Sequence, residues 1–133
     1  MYKPTTIILS AELSTLSIDV NQRRTLALLN ALIYHDIAFR PVIGMYNGDA
    51  ENAFKVSTDN TTLIKRLAFK DFMQESILIL GEDTCNLLYG DSTMQDIGKY
   101  TEISLSDAVK LESYTQEYCP IDMELQYFAC KTA

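Results

Sequence analysis

An aromatic hydroxyl, two glycines and a carboxylate are gathered in the stretch Val42-Ile-Gly-Met-Tyr-Asn-Gly-Asp-Ala-Glu-Asn-Ala-Phe-Lys-Val56. Tyr46 offers a hydroxyl and a stackable ring, and Glu51 a charge that can hold a cation or take up a proton. Gly44 and Gly48 let the backbone turn or approach a ligand closely. A tight hairpin with a polar tip carries the same residues for purely structural reasons, so the stretch marks a place before it marks a reaction. The other chemistry-bearing residues are weaker. His35, the single histidine, falls at the expected end of a helix, where a cap or a cation is favourable, and a hydrolytic triad is excluded in practice. Glu82, Asp83 and Asp91 lie near glycines with no histidine beside them and read as turn chemistry before metal chemistry. Glu75 reads as a solvated strand end that could alternatively line a site.

Composition narrows the classes. The 133 residues carry a net charge of -7, the wrong sign for a phosphate backbone, so nucleic acid is not expected as a partner, whereas a cationic small molecule suits such a field. Three cysteines, Cys85, Cys119 and Cys130, cannot all pair and lack metal-ligand spacing, which points to a reduced protein, although a Cys119–Cys130 pair stays open. No metal or other cofactor is expected. The apolar run after Pro4 is too short for a signal or membrane segment, so the reading is cytoplasmic with no membrane association. The length suits one domain over 1–133, and a chain of this size buries roughly 68% of its unfolded surface.

The elements that must position these residues follow from periodicity. Thr5 to Leu13 is β-branched and apolar and reads as a first strand. Asp19 and Gln22 have the spacing of a capping box ahead of Leu26, Leu29 and Ile33, which predicts a helix over about 19–35. Phe39 to Met45 and Ala53 to Ser57 read as a hairpin joined through a Tyr46–Glu51 turn. Asn60 caps a second helix through Ile64, Ala68 and Phe72. Ser76 to Leu80 and Asn86 to Tyr89 are further strands; Tyr100 to Leu105 is another candidate, Ser104 and Ser106 with Asp107 suggest a short third helix, and the tail through Pro120 to Ala133 has no assignable pattern. The order βαββαβ with extra C-terminal strands predicts an α+β, ferredoxin-like or PII-like sandwich, an antiparallel sheet with its helices on one face. Ile8, Phe54 and Ile79 look too apolar for a wetted opposite face, so self-association is expected to bury it.

Local words in this order resemble a known family. Leu9-Ser10-Ala11, then Val20-Asn21 with Arg24, then Gly44, Tyr46, Gly48 and Glu51, then Gln74-Glu75-Ser76-Ile77-Leu78 are together similar to the phage-encoded S-adenosylmethionine lyases, formerly called hydrolases. The resemblance covers about the first 100 residues. It implies a homotrimer with sites between subunits, and S-adenosylmethionine as substrate, cleaved by its own carboxylate to homoserine lactone and 5′-methylthioadenosine in the service of anti-restriction. It further implies Glu51 and Tyr46 as the catalytic pair and Ser10, Asn21, Arg24, Gly44, Gly48 and Gln74 as substrate-binding residues. On an exposed helix face Arg24 is equally a solvated or paired cation. Tyr89 and Tyr100 read first as strand residues, either of which could stack on adenine. Three alternatives stay open: hydrolysis with Glu51 as general base, a PII-like trimer that binds an adenine ligand without turnover, and an inhibitor acting by direct contact with a host enzyme.

Overall fold

The run Thr5-Thr-Ile-Ile-Leu-Ser10 forms strand β1 in the computed structural model, which describes residues 4–132. Ser17 starts helix α1, Ile18–Tyr34, by accepting the Val20 N–H on its hydroxyl at 3.2 Å. The cap is thus two residues upstream of the expected Asp19, which instead sits in the first turn and complements the helix dipole there. Strands β2, Ala38–Tyr46, and β3, Asp49–Thr58, follow. They are joined by Asn47 and Gly48 alone, both with positive φ (51° and 88°), the two-residue connection whose twist matches the flanking strands. The turn is shorter than expected, and Tyr46 and Glu51 are strand residues.

Asn60 caps α2, Thr61–Lys65, through the Leu63 N–H, and the helix widens into a π-helical stretch over Arg66–Asp71. Then come β4, Ser76–Leu80, β5, Cys85–Tyr89, and β6, Met94–Ile103. A short α3, Leu105–Ala108, is capped by Ser104. The tail that carried no readable pattern is a hairpin of β7, Ser113–Cys119, and β8, Glu124–Lys131. No described helix is long and apolar enough to cross a membrane.

The first four strands lie side by side in the order β4-β1-β3-β2, each antiparallel to its neighbour. The sheet does not stop there. β5 pairs with β4, β7 with β2, and β8 and β6 bridge the gap, so eight strands close an antiparallel barrel, β1-β3-β2-β7-β8-β6-β5-β4. This overturns the ferredoxin-like, PII-like open sandwich with helices on one face. The reason is in the second face of the sheet. Ile8, Val42 and Ala53 on that face form a cluster with Leu78, Leu80 and Tyr100, too apolar to leave in water, and the chain covers it with its own C-terminal half. Phe54 and Ile79, expected on the same face, belong instead to the outer cluster beneath the helices, around Ile7, Leu9, Leu28, Leu32 and Ile64. Full burial of Leu28, Leu32 and Ile64 contributes about 1.5–3 kcal/mol each. The barrel removes the ground on which a partner subunit was expected to shield the sheet.

One polar cluster sits inside this apolar enclosure. Glu117 of β7 is 3% exposed and accepts hydrogen bonds from Lys55 Nζ of β3 at 3.0 and 3.2 Å and from the Tyr100 hydroxyl of β6 at 2.6 Å. Arg40 Nη1 stands 4.0 Å away. The Lys55 ammonium also lies 5.3 Å and 5.8 Å from the ring centres of Tyr100 and Phe128. Removing the enclosed carboxylate leaves the largely covered Lys55 charge unpaired, whereas removing both ions does not. Glu117→Leu is therefore expected to cost about 3–5 kcal/mol in denaturant unfolding, and the double variant Lys55→Met/Glu117→Leu is expected to recover most of it.

Candidate functional site

Side chains alternate across a strand, so the register decides which residues look into the barrel. On β2 and β3, Gly44 pairs with Glu51, and the inward face of this pair meets Thr115 of β7, which lies beside Gly44. Phe128 is opposite Thr115, and Cys130 opposite Tyr100, on the same inner face. Glu51, Tyr100, Thr115, Phe128 and Cys130 line one cavity of about 540 Å³, reached also by Leu78, Leu87 and Ile97, with Glu12, Gln74 and Glu75 at its rim. Its size suits a ligand of nucleoside scale.

Gly44 sets the direction of Tyr46. A Cβ on Gly44 would lie 2.8 Å from Tyr46 Cε2 and 3.1 Å from its hydroxyl, so the tyrosine ring folds back over the bare glycine and toward Glu51. Tyr46 remains 46% exposed, as befits a residue at a mouth. Burial raises the Tyr46 hydroxyl above its ordinary value, and the charges of Glu51 and Cys130 add to this. Burial likewise raises the Glu51 carboxyl, hydrogen bonding with Ser10 partly lowers it, and the Glu12 charge raises it further. Tyr46 is thus a firm hydrogen-bond donor at neutral pH, and Glu51 is a carboxylate poised above the usual range, beside a cavity that holds no cation among its described lining residues.

The other anticipated residues divide. Gln74 is at the rim and donates from Nε2 to the Glu12 carbonyl at 3.0 Å and the Phe72 carbonyl at 3.3 Å. Ser10 is buried just behind the rim; its hydroxyl donates to the Asn52 carbonyl at 2.8 Å and accepts the Glu12 N–H at 3.0 Å. Asn21 clasps Leu13, donating to its carbonyl and accepting its N–H, both at 3.0 Å. Arg24 donates from Nε to the Ala11 carbonyl at 2.7 Å and from its terminal nitrogen to the Phe72 carbonyl. Asn21 and Arg24 therefore fasten the segment after β1, which carries Glu12 and Ser14 into the rim, and neither lines the cavity. Gly48 is exposed at the hairpin tip, beside a separate hollow formed with Val109, Leu111 and Tyr114.

Half of the wall comes from residues that sequence reasoning did not gather. Glu12, Thr115, Phe128 and Cys130 line the cavity with Tyr100; Thr115, Phe128 and Cys130 come from the tail that carried no readable pattern, and Glu12 from the end of the first expected strand. Tyr100 and Phe128 stack with ring centres 4.8 Å apart and planes 3° from parallel. Cys130 and Cys85 face each other across β6, and burial raises both thiols, Cys130 strongly. All three cysteines are free, so the open Cys119–Cys130 pairing is not formed. Among the described residues no group of three or more His, Cys, Asp or Glu is placed to hold a metal ion.

A comparison with curated proteins finds no match. The sequence does match the S-Adenosylmethionine lyase family over residues 7–129, from within β1 to within β8, so the match takes in the strands that close the barrel, β8 all but its last two residues, as well as the hairpin that carries Tyr46 and Glu51. By that extent, the chain is a member of the S-adenosylmethionine lyase family.

Proposed function

We propose that this enzyme degrades S-adenosylmethionine by attack of the substrate's own carboxylate, giving homoserine lactone and 5′-methylthioadenosine. The observation that carries the reading is the convergence of Tyr46 and Glu51 at the mouth of an interior cavity, in a member of this family. In the step, a carboxylate oxygen bonds to Cγ, and the Cγ–sulfur bond breaks with its electron pair passing to sulfur. The sulfonium becomes a thioether, the carboxylate becomes an ester, and no proton moves. What the protein must supply is geometry. Holding oxygen and Cγ in line is the kind of proximity worth effective molarities of about 10⁵–10⁸ M, or about 7–11 kcal/mol.

Both reacting charges vanish together, so excluding water from them favours reaction, while a carboxylate fixed against the sulfonium would partly oppose it. Glu51 is accordingly assigned to the substrate's ammonium or ribose hydroxyls, and Tyr46 to orienting the chain as a donor. Ser10 and Gln74 support the rim, Asn21 and Arg24 hold the segment that forms it, and Gly44 gives Tyr46 its room; Gly48 serves through the turn. Assembly as a trimer with sites near subunit boundaries fits the exposed apolar row Ile18, Leu26 and Ile33 along α1. Loss of S-adenosylmethionine in a host cell would starve methyltransfer, which suits an anti-restriction role in the cytoplasm.

Incubation with S-adenosylmethionine in ¹⁸O-labelled water tests the chemistry. Unlabelled lactone at the earliest times is the expected product. Open homoserine carrying solvent label from the start, without a lactone precursor, would instead assign Glu51 as general base to an attacking water, and no turnover would leave a binding protein.

Two substitutions probe the site. Gly44→Ala drives a methyl into the Tyr46 ring at 2.8 Å; the expected result is a loss of kcat/KM of about tenfold or more with unfolding changed far less than activity. Glu51→Gln is expected to lower kcat/KM about a hundredfold and to raise Tm at neutral pH. The sign follows from Glu51's carboxyl being raised above 4.5: the folded state holds that proton more tightly than the unfolded chain, so ionising it costs stability above the raised value. The Tm advantage of the variant should shrink to nothing as pH falls toward 4.5. The acid limb of kcat/KM in the unaltered enzyme is expected above that same pH.

A further inference from the structure

At the mouth of the cavity β3 loses a neighbour. The last pair between β1 and β3 is Ser10 with Ala53; β1 ends there, and Asn52, the next residue of β3, has no strand partner on that side. Two side chains take the missing place. The Ser10 hydroxyl donates to the Asn52 carbonyl at 2.8 Å, and the Asn52 N–H donates to Glu12 Oε2 at 2.7 Å. Glu12 is itself held along its backbone, its N–H by the Ser10 hydroxyl at 3.0 Å and its carbonyl by Gln74 Nε2 at 3.0 Å. A carboxylate anchored in this way is a fixed acceptor, and its bond to a backbone N–H is charge-assisted.

Asn52 follows Glu51, and its N–H shares one planar peptide with the Glu51 carbonyl. Orienting that N–H therefore orients the Cα from which the Glu51 side chain leaves. We propose that Glu12 is a positioning residue for the reaction: its carboxylate, in the place of the strand partner that β3 loses at the mouth, sets the Glu51–Asn52 peptide and so aims Glu51 at the substrate. The assignment rests on the reading of Glu51 as the carboxylate that holds S-adenosylmethionine. Glu12 also acts on Glu51 through space. Burial raises the Glu51 carboxyl most, Ser10 offsets part of this, and the Glu12 charge raises it again. The other ionisable groups lining the cavity are Tyr46 of β2, Glu75 ahead of β4, Tyr100 of β6, Tyr114 of β7 and Cys130 of β8. Phenols and thiols ordinarily titrate on the alkaline side, and of the two carboxylates it is Glu12 whose charge acts on Glu51.

Glu12→Gln keeps an acceptor oxygen for the Asn52 N–H and removes the charge; Glu12→Ala removes both. Misplacing a group that holds the substrate by about 1 Å costs up to about a hundredfold. Glu12→Ala is therefore expected to lower kcat/KM for S-adenosylmethionine about ten- to a hundredfold, and Glu12→Gln to bring it back to within about threefold of the unaltered enzyme at neutral pH. The acid limb of kcat/KM is expected at lower pH in Glu12→Gln, because losing the charge removes one cause of the rise at Glu51 and lets its carboxyl ionise sooner. A residue that only braced the fold would move neither the limb nor the order of the two variants. The amide proton of Asn52 gives a readout free of turnover: bonded to a carboxylate it resonates downfield, and it is expected to move upfield in Glu12→Ala. A folded Glu12→Ala that keeps kcat/KM within about threefold, a Glu12→Gln no better than Glu12→Ala, an unmoved acid limb or an unmoved Asn52 signal each overturns the positioning role and leaves the functional reading in place. An unaltered chain that does not cleave S-adenosylmethionine overturns the functional reading and the role of Glu12 with it.

Discussion

A carboxylate inside a barrel of eight strands cannot be left to itself, and the answer to Glu117 organises much of this molecule. Its partners come from strands far apart in sequence: Lys55 lies 62 residues before it and Tyr100 lies 17 before it. Joining β3, β6 and β7 through one acceptor ties the N-terminal and C-terminal halves of the sheet across the barrel interior. An eight-stranded barrel is narrow enough for side chains to fill it. Where Lys55, Glu117 and Tyr100 meet, the space is occupied by charge and hydrogen bonds; beyond them, between Glu51, Thr115 and Phe128, it is left open. The cavity is therefore bounded at one end by these paired groups.

The same arrangement accounts for what could be read in the chain and what could not. β1, β4 and the buried half of β3 are β-branched and apolar on both faces, because helices cover one side and the barrel interior the other, and such runs stand out. Helix α1 announced itself by the spacing of Leu26, Leu29 and Ile33, though two of these, Leu26 and Ile33, turned out to be exposed, and the buried pair is Leu28 and Leu32. The amphipathic period was legible while its phase was not. β7 was unreadable for a physical reason. Its inward residues are Thr115 and Glu117, and its outward ones include Tyr114 and Tyr118, so the usual correspondence of apolar with inside is reversed along it. A strand whose interior face is polar only makes sense once Lys55 is known to be waiting opposite.

Closure of the barrel was lost with that strand. An antiparallel sheet with both faces apolar needs two covers, and the helices supply one. Sequence periodicity shows the need for the second cover but not its source; a neighbouring subunit and the chain's own tail satisfy it equally. Only the pairing of β2 with β7 and of β4 with β5 decides between them. The site divides along the same seam. Tyr46, Glu51 and Gln74 belong to the readable half and mark the rim, whereas Phe128 and Cys130 belong to the tail and form the floor. Arg24 and Asn21 were visible as residue types capable of holding a carboxylate, but in the fold their hydrogen bonds are spent on backbone groups where β1 gives way to α1.

A reaction between two groups of one substrate asks for a different container from a reaction with water. General-base catalysis needs a carboxylate within hydrogen-bond reach of a held water, and is served by a pKa raised toward the working pH. Intramolecular displacement gains from depriving both charges of solvent, which an open surface cannot do. Burial is the leading cause of the upward shift at both Glu51 and Tyr46, and a carboxyl raised in this way suits either kind of reaction. That shift has a cost in folding stability, since an ionised Glu51 near Glu12 is held where water solvates it poorly. The outer core beneath the helices is a cluster separate from the inner one. Strain at the mouth need not propagate into the packing that keeps the fold, which is the condition under which a small domain can keep a destabilising carboxylate for the sake of its chemistry.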